Sequence, residues 1–461
     1  MKRREFLTNA ALIGTGAAAG VPAILTSCSK SGSRKIFTPQ ELGMYTFSDS
    51  APDGKPLKAA LIGCGDRGTG AATQFLSAGK YLQITAMADI LPDRINASHA
   101  VLNKHFNTNV PEEKRFIGFD SYKKALDLAD IDVVLLTTPT HFRPEHFRAA
   151  VDAGKHVFME KPCAVDPAGI RTVIAAAKAA KSKGLTVITG NQRRHSRAYW
   201  EAYVQVRNGA IGEILSGSAH WDQGAWWNKY PRKEWSDMEY CIRNWFNIKW
   251  LSGDHILDQA IHNIDVVTWF MGIKPVSASG FGGRARRLTG DIYDFFSVDY
   301  YYENGRKMLC TARQIDGTEY NVSEQVYGTK GFFTTKDGIH LEDYDGNTIW
   351  KFGEDQKTSA QKTGEKSQSE TKPLEKDHYQ QEHIHLVESI RQNTGINQAE
   401  DLAYSTLVAI LGREAAYTGK SITWEEIMSS SLRYGPETYE FGKLADYHEG
   451  VPPIPGKAPG Q

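Results

Sequence analysis

The residues best suited to chemistry begin at Gly63-Cys64-Gly65-Asp66-Arg67-Gly68, which follows the short apolar run from Lys58 to Gly63. This is G-x-G-x-x-G between an expected strand and an expected helix. The first glycine permits a tight turn. The second lets backbone approach a pyrophosphate, and the third lets helix and strand pack closely. The anion then sits on the unpaired N–H groups of the helix N-terminus. Asp89 ends the next apolar stretch, where an acid accepts hydrogen bonds from the adenosine ribose hydroxyls. A carboxylate there repels a 2′-phosphate, so the expected cofactor is NAD, with NADP disfavoured.

A further group is Glu160-Lys161-Pro162, after the run His156–Met159. In an open parallel sheet, ligands collect at the carboxyl ends of the strands, so Lys161 is expected near the nicotinamide end. Leu257 to Asp265 reads as one helix with Asp258 and His262 four apart on one face. A lysine with an Asp/His pair suits oxidation of an alcohol. A base takes the hydroxyl proton, and a cation steadies the developing alkoxide.

These residues need a frame. Lys58–Gly63, Leu82–Ala88, Val133–Thr137, His156–Met159 and Thr186–Thr189 read as five buried strands. Helical stretches alternate with them: Ala71–Ala78, one from Pro92, Glu145–Ala153 and Ile170–Lys183. The fold class is therefore α/β with a doubly wound parallel sheet. After Gly190 the strands lengthen and become aromatic, as in Phe295–Tyr302. Alternation over residues 308–352 suggests a large, mostly antiparallel open sheet in a C-terminal α+β domain. Residues 354–376 read as a polar loop. Asp377–Arg391 and Asp401–Thr418 read as closing helices.

The motifs resemble those of the Gfo/Idh/MocA family of oxidoreductases. The glycine loop, Asp89, Glu160-Lys161-Pro162 and D-x-x-x-H at Asp258–His262 carry the resemblance. Thr138-Pro139 after the third strand and Gly190-Asn191-Gln192-Arg193-Arg194 at the domain junction add to it. It covers roughly residues 58 to 420. The resemblance implies that Lys161 and His262 are the catalytic pair, with Asp258 as an adjacent substrate-binding or base-orienting group. It implies cofactor contacts at Gly63, Gly65, Asp66, Arg67, Gly68, Asp89, Thr138, Pro139, His141, Glu160, Lys161 and Asn191. Arg143 stands where many members carry a histidine, and His141 is the other candidate for that place. The family acts mostly on sugars, cyclitols and related polyols.

Trp221, Trp226, Trp227, Trp235, Trp245, Trp250 and Trp269 crowd one stretch, interleaved with Asp237 and Arg243. Flat apolar faces beside planar polar groups hold sugars, with hydroxyls taking the hydrogen bonds. The expected substrate contacts are Arg194, Trp221, Asp237, Arg243 and Asp258. A tryptophan-rich core or oligomer interface is the alternative for the segment. His378, Glu382, His383 and His385 have near-helical spacing and read as a polar helix face. No metal is assigned.

The charges cancel at 54 against 54, which gives no reason to expect a nucleic-acid partner. Cys64, Cys163, Cys241 and Cys310 show no metal spacing and read as small buried residues. Lys2-Arg3-Arg4-Glu5-Phe6-Leu7 resembles a twin-arginine export signal, and Ala10–Leu25 fits its apolar region. Leu25-Thr26-Ser27-Cys28 resembles a lipobox, so attachment to a membrane by a lipid on Cys28 is expected. A plain signal peptide with an incidental cysteine is the alternative. The expected plan is a signal at 1–28, an arm at 29–56 and an NAD-binding domain at 57–190. A substrate and oligomerisation domain follows at 191–430, then a tail at 431–461.

An exported, periplasmic enzyme lacks a pool of fresh NAD. A domain that carries its cofactor along must fold before export, which is the route the twin-arginine signal serves. The expected activity is an NAD-dependent oxidation at a hydroxyl of a sugar, glycoside or polyol, with the cofactor tightly held. The alternative is a redox-neutral glycosidase that oxidises its substrate transiently and cleaves by elimination. The partners expected are a carbohydrate and further copies of the chain.

Overall fold

A computed structural model describes residues 36–353, 377–444 and 452–456. The export signal, Cys28, the beginning of the arm, the polar loop at 354–376 and parts of the tail lie outside the described residues.

The first sheet has strands β1 (Leu57–Ile62), β2 (Leu82–Asp89), β3 (Arg115–Ile117), β4 (Val133–Leu136), β5 (His156–Met159) and β6 (Val187–Thr189). All pairings are parallel, in the order β3-β2-β1-β4-β5-β6. The central strand β4 is Val-Val-Leu-Leu and wholly buried, as a strand covered by helices on both faces must be. Five strands were expected. The additional one, β3, is three residues long and carries Arg115, so no apolar run announces it. It exists because Met87–Asp89 of β2 offer it an edge. Chain order reverses between β1 and β4, and the glycine loop leaves β1 at that switch point.

The second sheet joins β7 (Ile214–Gln223), β8 (Ser277–Gly283), β9 (Phe295–Tyr301), β10 (Lys307–Gln314), β11 (Asn321–Gly328), β12 (Gly331–Thr334), β13 (His340–Asp343), β14 (Thr348–Lys351) and β15 (Ile422–Thr423). Its order is β14-β13-β12-β11-β7-β10-β9-β8-β15, antiparallel except where β7 meets β10. In β10 the inward residues Met308, Cys310, Ala312 and Gln314 are buried, while Lys307 and Leu309 face outward. The helices Ile261–Met271 and Ala399–Thr418 cover the inner face. Both are apolar around most of their circumference, as enclosed helices are.

The arm from Phe37 to Lys55 is bound to this body. Tyr45 stacks on His195 with centroids 5.4 Å apart, and Arg391 donates to the carbonyls of Pro52 and Lys55. Cys64, Cys163, Cys241 and Cys310 are all buried. The polar face of the His378–Gln392 helix is turned inward, with Glu382, His383 and His385 all enclosed. Arg67 pairs with Glu382, and His195 and Gln381 bond to His385, while His383 packs on Phe158. No helix of the described residues is long and apolar enough to cross a membrane.

Candidate active site

The glycines of the loop play different parts. Gly63 has φ +96°, and a Cβ there would lie 2.7 Å from the Thr137 carbonyl carbon. A Cβ on Gly68 would lie 1.9 Å from the Gly63 oxygen. Those two are demanded by the fold. Gly65 has φ −73°, which any residue adopts, and a Cβ there would meet nothing within 4 Å. It borders open space in front of the Asp66–Leu76 helix, whose N-terminus has no side-chain cap. Free N–H groups beside a backbone that a ligand can approach suit a pyrophosphate. The Asp66 side chain points to solvent with Arg94 3.7 Å away, so Asp66 offers the site its backbone alone.

Asp89 closes the loop from the side, accepting from Cys64 N at 2.6 Å and Leu91 N at 2.9 Å. Arg67 does not reach for an anion. Its Nε donates to Glu160 at 2.5 Å, and its guanidinium lies over the Tyr379 ring at 5.1 Å. Glu160 Oε2 also accepts from Lys161 N at 3.0 Å. A Cβ on Gly190 would collide with that carboxylate at 2.6 Å. Burial works against a charge on Glu160, but Arg67, Lys161 and Arg143 outweigh it and hold its pKa low. Glu382, buried on the other side of Arg67, is pushed well above the usual carboxylate range by burial. Asn191 follows β6, and among the described residues its buried Nδ2 has no hydrogen-bond partner.

The two sheets meet at Lys161 and Asp258. Lys161 Nζ donates to the Asp258 main-chain oxygen at 2.5 Å. The single helix expected over Leu257–Asp265 is broken there into His255–Asp258 and Ile261–Met271. His262 N bonds to Gln259 O at 3.1 Å instead of to Asp258 O. The Asp258 carbonyl thus leaves the helical ladder, and a charge-assisted bond from the lysine replaces the backbone one. Asp258 and His262 remain close in sequence but sit on separate helices.

His262 is buried, and burial pushes its pKa well below that of a free imidazole; the nearby charges of Lys161 and Arg193 act in the same direction. The ring is neutral at pH 7 and can accept a proton. Among the described residues it makes no hydrogen bond. It tilts against Trp221 with centroids 5.4 Å apart. The Asp258 carboxylate is buried and receives no hydrogen bond among the described residues. Burial raises its pKa, against the pull of Lys161 and Arg143. A neutral base, a fixed ammonium and an uncommitted carboxyl group thus converge where the two domains meet.

Comparisons with known proteins place the chain in a family. The description of an oxidoreductase family with an NAD-binding Rossmann fold matches residues 57–189, and the GFO/IDH/MocA C-terminal domain matches residues 199–334. The chain belongs to the Gfo/Idh/MocA family. It is 29% identical to the 2,7-anhydro-N-acetylneuraminate hydratase of Escherichia coli over 48% of this chain and 56% of that protein. It is 25% identical to the D-glucoside 3-dehydrogenase of the same organism over 50% of this chain and 60% of that one. The chain thus matches little more than half the length of these curated relatives. The levoglucosan dehydrogenase complex with NADH shares the fold at a TM-score of 0.61 and 20% identity, over 80% of this chain and 99% of that one.

The glycine loop, Asp89 and Asn191 lie at the carboxyl ends of β1, β2 and β6, where an open parallel sheet offers its ligand crevice. Thr138 Oγ1 is 3.3 Å from His146 Nδ1, and Pro139 opens the short turn after β4. His141 is engaged through one of its ring nitrogens. Its Nε2 lies 2.7 Å from the Tyr439 hydroxyl, and Trp250 packs on its ring. Arg143 is buried, donates to Pro162 O at 2.5 Å and feels the charges of Glu160 and Asp258.

The expected substrate contacts divide. Trp221 stands against His262, and its Nε1 donates to Gln259 Oε1 at 3.0 Å. Gln223 and Gln314 donate to the same oxygen, a hub that lies inside D-x-x-x-H but was not singled out from the sequence. Arg194 is withdrawn into the core, paired with Asp265 at 2.9 Å and stacked on Trp269. Its neighbour Arg193 faces the site, 5.8 Å over Trp221 and ion-paired with Glu324. Nothing in the spacing of an Arg-Arg pair says which one turns inward. Asp237 and Arg243 lie at the other end of the crevice. Asp237 accepts from Leu444 N, and Arg243 pairs with Asp93. The tryptophans therefore form no single platform. Trp250 and Trp269 are packing residues, and Trp226 and Trp227 gather around Phe246. Among the described residues no group of three His, Cys, Asp or Glu side chains is placed to hold a metal. A cavity of about 640 Å³ lies under the C-terminal segment, lined by Tyr122, His146, Asp166, Arg433 and Tyr439, and contains none of Lys161, Asp258 and His262.

Proposed function

We propose that this protein is an NAD-dependent oxidoreductase acting on a hydroxyl of a sugar, glycoside or polyol. The observation that carries this is the bond from Lys161 to the Asp258 carbonyl, which joins the nucleotide-binding domain to the base His262 and the aromatic face of Trp221. The bound nicotinamide supplies the hydride acceptor. The neutral His262 ring takes the proton of the reacting hydroxyl, and the Lys161 ammonium steadies the alkoxide oxygen. Trp221 offers the C–H face of a ring a flat apolar partner, and Gln259 and Arg193 supply donors beside it. The names of two relatives, a glucoside dehydrogenase and an anhydro-sugar hydratase, support a carbohydrate substrate.

The hydratase among the relatives also favours a second reading, since its name describes no net oxidation. A ketone formed transiently on a glycoside acidifies the neighbouring C–H, and loss of that proton expels the glycosidic oxygen. The twin-arginine motif at Arg3-Arg4 and the lipobox ending in Cys28 support export, with attachment by lipid at a membrane. The outward Phe281 and Leu309 on the second sheet support assembly with further copies. Aryl glycosides separate the readings. Phenol release without net reduction of NAD selects the redox-neutral cycle, whereas NADH formation without phenol selects the dehydrogenase. Purified protein that neither holds nor binds NAD(H) overturns both.

A further inference from the structure

The stretch from Gln223 to Leu251 begins at the catalytic pair and ends beside the adenosine end of the crevice. Gln223 is tied to Gln259, next to Asp258. At the far end, Arg243 Nη1 and Nη2 donate to the two oxygens of Asp93 at 3.0 Å each, on the helix that follows Asp89. Met238, Cys241, Ile242 and Leu251 are buried in one cluster with Leu91 and Phe142, which follow β2 and β4. The tail holds this stretch from behind, with Met238 N bonded to Gly442 O and Asp237 to Leu444 N. Between these anchors lies Lys229, fixed through its N–H to Asn244 Oδ1. Its ammonium has no hydrogen bond or ion pair among the described residues. Asn244 adjoins the Arg243 that pairs with Asp93, and Arg94, next to Asp93, lies 3.7 Å from Asp66 of the glycine loop, so Lys229 stands towards the open end of that loop. Arg94, Arg243, Asp66 and Arg232 are its charged neighbours.

We propose that residues 223–251 form a clamp across the whole dinucleotide crevice, with Lys229 a ligand of the cofactor phosphates and the Asp93–Arg243 pair the latch. This rests on the reading of the protein as an NAD enzyme. An unpaired cation at the mouth of a phosphate loop raises affinity through charge. A two-point ion pair at the rim must break before the clamp lifts, so its effect appears in the rate of release. A cofactor held in this way stays bound from one turnover to the next.

The test uses the full chain loaded with NADH, with release followed by loss of energy transfer from tryptophan to the nicotinamide after dilution into excess NAD. Asp93→Ala and Arg243→Ala should each speed release on the order of tenfold, about 1.4 kcal/mol. Lys229→Gln should weaken ADP by a similar factor and leave adenosine unchanged. Release rates equal to the parent's in both latch variants overturn the clamp while the NAD reading stands. Equal losses for ADP and adenosine, or no loss for ADP, overturn the phosphate role of Lys229. A parent protein that binds no NADH overturns the clamp and the NAD reading together.

Discussion

Lys161 Nζ and the Asp258 carbonyl oxygen, 2.5 Å apart, join a strand end of the first sheet to a broken helix on the second. The lysine thereby gains a fixed position, and the break sets His262 at the start of a new helical segment. Lys161→Met should lower kcat/KM by about 10²–10⁴-fold while NAD(H) remains bound. Unchanged turnover in that variant would remove Lys161 from the chemistry.

The pH profile follows from the direction of the His262 shift. Burial, then Lys161 and Arg193, disfavour the imidazolium. A base of lowered pKa stays unprotonated as pH falls and is lost only when pH passes through that lowered value. The rate should therefore show no acid limb near 6.5, the ordinary value for histidine. An inflection at that pH, absent in His262→Asn, would mean that the ring is solvated during turnover.

Gly65 and Gly68 should respond differently to the same change. Gly65→Ala places a methyl in open space and should leave thermal stability near the parent's, while NAD binding measured by calorimetry falls sharply. Gly68→Ala drives a methyl to 1.9 Å from the Gly63 oxygen and should destabilise the domain itself. Equal stability losses in the two variants would contradict this division.

Arg194 should behave as a structural residue. Its guanidinium binds Asp265 through three contacts of 2.9–3.1 Å, and Asp265 also accepts from Ser405. Arg194→Met leaves a buried carboxylate without its cation and should cost about 3–5 kcal/mol in urea unfolding. The KM for sugar of the folded fraction should not change. A raised KM at unchanged stability would return Arg194 to the substrate site.

Much of this was legible in the primary structure. The parallel sheet, the glycine loop, Asp89, Lys161 and His262 rest on local signals: buried apolar runs, glycines where a Cβ cannot fit, and motifs of short span. The edge strand β3 escaped because three residues with an arginine carry no periodicity. Arg193 and Gln259 escaped as site residues, and the choice between His141 and Arg143 stayed open, because their side chains are aimed by contacts far along the chain. Glu324 draws Arg193, Asp265 draws Arg194, and Tyr439 occupies His141. The break between Asp258 and Ile261 was invisible for the same reason, since the group that competes for the Asp258 carbonyl is Lys161, on another domain. Short-range sterics and burial determined which residues are able to do chemistry; long-range charge pairing decided which of them face one another.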